Sequence, residues 1–183
     1  MPLDKMQKRP YSLEEYNPAW VDQFEEIKKI LLDIFGDKAL AIEHVGSTAV
    51  PGMKAKPLID VLVIVEKMES FQAERERMAS HGYKNQDNYI GPDTILFYKE
   101  EDARKTVNIH VCVEHSPKTE QFIPVRDYLR SHPEEVKKYV ELKERLAQEE
   151  EELLAQKSWL KRKAERHESD ELMNCHQMNV TEV

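Results

Sequence analysis

The chain has 183 residues, 40% of them hydrophobic and 34% charged, which suits one domain with a real core under a highly charged surface. A formal net charge of −8 repels phosphate backbones, so duplex nucleic acid is excluded as a general partner, while a local basic pocket for one small anion stays open. Cys112 and Cys175 lie far apart without a CxxC pair, no run approaches the roughly 18 apolar residues of a membrane span, and residues 1–9 are too polar for a signal peptide, so a cytoplasmic, reducing compartment is expected.

Residues 1–10 read as a flexible leader. Asn17 and Pro18 then read as an N-cap followed by proline at the first helical position. Trp20, Phe24, Ile27, Leu31 and Ile34 follow at spacings of three and four, one face of an amphipathic helix that stops near Gly36. Residues 39–45 read as a strand running into the turn chemistry of residues 46–52. Residues 57–65 read as a second strand, β-branched and apolar on both faces, as in a sheet centre. Asp60 is anomalous there.

Residues 68–81 read as a helix with Gly82 as its stop. Residues 83–90 form a weak strand, 91–93 a turn, and 94–99 and 106–113 two further strands joined by a charged turn. A helix over roughly 119–131 breaks at His132-Pro133. A second helix then carries Val136, Tyr139, Leu142 and Leu146, with Leu153, Leu154, Trp159 and Leu160 beyond an acidic run, and its apolar positions are expected to pack on the sheet. The polar, aperiodic residues 168–183 read as a mobile tail. One α/β (α+β) domain is expected over residues 11–167, a mixed sheet flanked by helices with further helices at the C-terminal end.

One constellation carries chemistry. Gly46-Ser47 follows a strand, and amides in a tight turn form an anion-binding concavity. Lys54 and Lys56 add positive charge nearby. Asp60 lies inside an apolar strand, where a lone carboxylate is costly unless it is paired or binds a metal. Hard cations such as Mg²⁺ prefer carboxylate plus phosphate oxygens. The plain alternatives are an ordinary turn and a hydrogen-bonded structural aspartate. His44 reads as a structural hydrogen bonder or a base. His110, between Ile109 and Val111, reads as a core histidine or a site residue. Arg126 and Arg130 share a helix face four apart; Asp127 at three before Arg130 suggests an ion pair, and arginine is also a bidentate phosphate ligand.

The segment from Glu43 to Val63 resembles the GrpB family, whose signature it matches at Glu43, His44, Gly46, Ser47, Thr48, Ala49, Val50, Pro51, Gly52, Lys56, Pro57, Ile59, Asp60 and Val63. Arg126-Asp127-Tyr128-Leu129-Arg130, followed by Pro133, Tyr139, Leu142-Lys143 and Leu146-Ala147, resembles its second motif, and Trp20 and Phe24 fit its first helix. The family is similar to the nucleotidyltransferase superfamily. That resemblance implies a Gly-Ser turn that holds a triphosphate, and an Asp-x-Asp pair with a third carboxylate from a neighbouring strand that holds Mg²⁺ for an in-line displacement. This sequence departs from the pattern. Leu62 stands at the second acidic position, pointing to the same side as Asp60. The neighbouring strand offers Asn108 and His110.

The resemblance therefore implies catalytic roles for Asp60 and Ser47, phosphate binding by Gly46, Ser47, Thr48, Lys56, Arg126 and Arg130, and a metal shell of Asp60, Glu43 and His110. The implied partner is a nucleotide or small phosphorylated ligand. Three readings remain: nucleotidyl transfer with Mg²⁺ to an unknown acceptor, a non-catalytic phosphate-ligand module of the same fold, or, ranked last, an interaction protein working through the charged C-terminal helices.

Overall fold

The computed structural model describes residues 13–68, 71–87, 94–102 and 104–178, with side chains up to residue 159 apart from 87, 151 and 154. The expected leader, the turn at 91–93 and the end of the chain after Met178 lie outside the described residues. The chain divides into two units at Val140. The first, Ser12–Val140, carries the sheet and the helices on it. Beyond Glu141, the long last helix continues as the second unit.

Helix α1 covers Ala19–Phe35. The Asn17 side chain accepts the Ala19 amide at 3.0 Å, which is the cap its position promises. Gly36, at φ +51°, ends the helix in a conformation that costs glycine little. Strand β1 is Ala39–Val45 and β2 is Ile59–Val65. Helix α2 is Gln72–Ser80, shorter at its start than the span read from periodicity. Strands β3 (Lys84–Asp87), β4 (Thr94–Glu101) and β5 (Arg104–Val113) follow. Helix α3 is Pro117–Ser131, capped by Ser116, whose Oγ accepts the Thr119 amide at 3.2 Å. Helix α4 runs unbroken over Pro133–Met178, through the acidic run and well into the stretch read as a tail.

The five strands form one mixed sheet in the order β1-β2-β5-β4-β3. Strands β1 and β2 are antiparallel, and β2 and β5 are parallel. Helices α1 and α2 cover one face. Trp20, Phe24 and Leu31 of α1, Met78 of α2 and Phe71 just before it pack with Val61, Val63 and Val65 of β2 and Ile109 and Val111 of β5. The opposite face receives α3, where Phe122 and Ile123 pack on Val45, Leu62, Ile64 and Cys112. Coverage from both sides explains why β2 is apolar at nearly every position. It also sets the frame for the anomalous residue, because Asp60 shares its face with Leu62 and Ile64.

The apolar residues of α4 divide. Val136 packs with Val50 and Met53 behind the loop after β1. Leu142, Leu146, Leu153 and Trp159 are exposed, which corrects the expectation that these positions pack on the sheet.

Candidate functional site

The site gathers where β1 ends and β2 begins. Val45 pairs with Asp60 across the two strands, so the Gly46 turn emerges beside the aspartate. Gly46 has φ +74° and ψ −170°, a region open almost only to glycine. A side chain would also collide with Asp60, whose Oδ2 lies 2.6 Å from where a Cβ would stand. The turn and the carboxylate that the sequence suggested as partners are therefore in contact. Ser47–Ala49 then forms a single 3₁₀ turn, closed by the Ala49 amide donating to the Gly46 carbonyl at 3.2 Å.

Across β2, Asp60 stands in register with Asn108 and Leu62 with His110. Asn108 donates from Nδ2 to Asp60 Oδ1 at 2.9 Å, and His110 Nε2 is 3.9 Å from the same oxygen. The neighbouring strand thus supplies an amide and an imidazole where the superfamily resemblance implies a third carboxylate. Asn108 is the residue that sequence reasoning undervalued. Its alternation with His110 on one strand was the available signal. Among the described residues, Thr106 Oγ1, Asn108 Oδ1 and His110 Nδ1 are buried without a hydrogen-bond partner. All three alternate along the same face of β5, the face that carries Asp60. Buried polar atoms are rarely left unpaired, so this strip marks a place built to meet a polar group.

Arg126 and Arg130 reach the site from α3 and do different work. Arg126 is buried; its Nη1 donates to Glu43 Oε2 at 2.7 Å and to the His44 carbonyl at 2.9 Å, and its Nε donates to Asp127 at 2.7 Å. That hydrogen bond holds the Asp127 carboxyl below its usual range. Arg126 is therefore a clamp between α3 and β1, already neutralised on both sides, and the structure does not offer it to a ligand. Asp127 pairs with Arg126 rather than with Arg130, as the expected i, i+3 pair would have required.

Arg130 donates from Nε to the Ala49 carbonyl at 2.9 Å. This bond fixes an exposed guanidinium at the end of the Gly46 turn. Among the described residues its Nη groups meet no carboxylate within salt-bridge distance. It presents a cationic group at this turn.

His44 and Thr48 are structural. His44 is buried and stacks on Phe24 of α1 with ring centroids 4.8 Å apart. Its Nε2 is 3.1 Å from Thr48 Oγ1, and the Thr48 hydroxyl donates to the Leu58 carbonyl at 3.2 Å. A hydroxyl has one proton, so His44 must be the donor to Thr48, with the hydrogen on Nε2. Burial, helped by Arg130 and Arg126 against the pull of Asp60, pushes the imidazole down to about 4, so it is neutral near pH 7. The Thr48 hydroxyl thus ties both ends of the loop together.

The lysines also separate. Lys54 pairs with Glu15 at 2.8 Å, on the stretch that bridges Glu14 to Ala55. Lys56 is exposed on the same loop. Glu43 is held by Arg126, and among the described residues no three His, Cys, Asp or Glu side chains gather as a metal site. The structure therefore does not assemble Asp60, Glu43 and His110 into one shell. A Mg²⁺ ion carried by one carboxylate and the oxygens of a bound phosphate is compatible with Asp60, whose side chain keeps 22% exposure.

The family model described as "GrpB protein" matches residues 10–168. The chain is 35% identical over 142 residues to "UPF0157 protein YqkA" of Bacillus subtilis, a match covering 76% of this chain and only 40% of that protein. It is 36% identical over 103 residues to "Dephospho-CoA kinase" of Mycobacterium tuberculosis, covering 55% of this chain and 24% of that protein. The crystal structure of conserved protein GrpB from Enterococcus faecalis superposes with a TM-score of 0.70 at 33% identity, covering 75% of this chain and 83% of that one. With the family's motifs laid out as Gly46, Asp60 and the two arginines of α3, the chain belongs to the GrpB family.

Proposed function

We propose that the protein binds a nucleotide or another small phosphorylated ligand at the Gly46-Ser47 turn, with Arg130 gripping the phosphate and Asp60 marking the inner edge of the site. The observation that carries this reading is the pairing of an anchored, exposed guanidinium with a turn whose backbone favours glycine. Arginine presents parallel N–H donors that match phosphate geometry. Fixing Nε on the Ala49 carbonyl orients the rest of the fork in advance, which lowers the entropy lost on binding. The polar strip of Asn108 and His110 lies beyond Asp60, suited to the less charged part of the ligand. The similarity to part of a dephospho-CoA kinase supports a ligand of the nucleotide or coenzyme kind.

Asp60 together with the ligand's phosphate oxygens would hold Mg²⁺, which would polarise the phosphoryl group. Nucleotidyl transfer is then open to this site. Leu62 at the second acidic position, with Asn108 and His110 on the neighbouring strand, favours the second reading, a binding module without transfer.

Thermal-shift and calorimetric titration with ATP, GTP, CTP and UTP, with and without Mg²⁺ or Mn²⁺, tests both. Binding at about 100 times Kd stabilises the fold by roughly 2.7 kcal/mol. Stabilisation that needs the metal and disappears in Asp60→Ala supports the transferase reading. Metal-independent binding that survives Asp60→Ala supports the module. No response to any nucleotide, with or without metal, sinks the nucleotide reading.

A further inference from the structure

The part of α4 beyond Glu141 holds large apolar side chains in water: Leu142 is 39% exposed, Leu146 52% and Leu153 56%. A single exposed leucine is ordinary, but these share a register. Tyr139, Leu146, Leu153 and Leu160 recur every seven residues, and Leu142 lies four before Leu146. In heptad terms the first set occupies a positions, and Leu142, Glu149 and Gln156 occupy d positions. Such a repeat is the seam by which helices pair. Neither Leu146 nor Leu153 belongs to any core cluster of the fold.

Charge selects the occupant and its direction. The g positions include Arg145 and Glu152, and the e positions include Glu150 and Lys157. In a parallel pair of identical helices each g residue faces the e residue five further on in the other copy. Arg145 then meets Glu150, and Glu152 meets Lys157, both attractive; only Lys138 with Lys143 repels. In an antiparallel pair e faces e and g faces g. With Leu142 seated on Leu160, Glu150 would meet Glu150, Glu152 would meet Glu152, and Lys143 would meet Lys157, all repulsive. One heptad over, the charges match but Leu146 faces Glu149 and Tyr139 faces Gln156, whereas the parallel pair sets leucine on leucine. Glu149 faces its own copy in the parallel pair. Arg145, 3.9 Å from Glu149 on the same helix, offsets part of that cost.

We infer that α4 pairs with a second copy of this chain as a parallel two-stranded coiled coil over residues 139–160. Three heptads with polar Glu149 and Gln156 in the seam make a reversible, concentration-dependent dimer. The inference is independent of the phosphate site.

Sedimentation equilibrium of the full chain over a concentration series tests it. The mass is expected to rise from 21.5 kDa toward twice that value. Leu146→Lys combined with Leu153→Lys should hold it at one chain with an unchanged circular dichroism melt of the sheet-bearing unit. Direction is read by cross-linking: Gln156→Cys in a Cys175→Ser background, with Cys112 buried, should oxidise to a covalent dimer. A chain that stays monomeric at every concentration overturns the proposal, as does a dimer indifferent to the lysines. Cross-linking of Leu146→Cys to Gln156→Cys between copies, with none at 156 alone, overturns the parallel arrangement.

Discussion

Replacing Gly46 with alanine tests the contact on which the site is built. Two costs follow from the structure. A residue with a Cβ at φ +74° and ψ −170° is strained by about 1–3 kcal/mol. The new Cβ would also stand 2.6 Å from Asp60 Oδ2. Asp60 must swing away and give up the hydrogen bond from Asn108, a charge-assisted bond that is worth about 1 kcal/mol after allowance for its partial exposure. The sum is about 2–4 kcal/mol, or a fall in Tm of about 5–15 °C for a chain of this size. Urea unfolding of Gly46→Ala, Asp60→Ala and the double variant separates the two costs. In the double variant the collision with Oδ2 is gone, and the remaining 3.2 Å approach to the residue-60 Cβ is relieved by a small shift. The two single losses should therefore exceed the double loss by about 1–2 kcal/mol. Losses that add within about 0.5 kcal/mol would refute the claim that the carboxylate rests against the turn.

His44 gives a pH prediction. Its folded pKa of about 4 lies below the unfolded value of 6.5, so its contribution is complete above pH 6.5 and is lost as pH falls from 6.5 toward 4. The loss is about 3 kcal/mol, and His44→Gln should flatten the slope of stability in that window; an unchanged slope would place the titration elsewhere. Arg126→Leu strands the Glu43 carboxylate and the His44 carbonyl, and should cost about 2–4 kcal/mol in urea unfolding, at the lower end because Glu43 is partly exposed. A loss below about 1 kcal/mol would show that the clamp is not structural. Ser116→Ala removes the α3 cap and should cost about 1 kcal/mol; no change would mean that the Thr119 amide finds water instead.

The elements were legible where local pattern and burial agree. The stripe from Trp20 to Ile34 and the unbroken apolar run of β2 gave α1 and the sheet centre directly. The proximity of Gly46 to Asp60 was also legible, because a turn between antiparallel neighbours returns the chain to the adjacent strand. Side-chain allegiance was not. Arg126 and Arg130 have the same spacing, charge and helix face, yet one is buried in ion pairs and the other exposed. That difference depends on where β1 ends relative to α3. The tie of the Thr48 hydroxyl to the Leu58 carbonyl was hidden because the two are distant in sequence. The exposure of Leu142 to Trp159 was likewise hidden, since periodicity records a face and not what covers it.

The central claim is that Arg130 and the Gly46-Ser47 turn hold a phosphate. Its most direct test is calorimetric titration of the wild type and Arg130→Gln with ATP and with pyrophosphate, beside a urea melt of each. The account predicts binding by the wild type and a loss of about 10–100-fold in Arg130→Gln, the worth of a charge-assisted bond pair, with stability changed by less than about 1 kcal/mol. Equal affinity in the two proteins, or no binding of either ligand by the wild type, would contradict it.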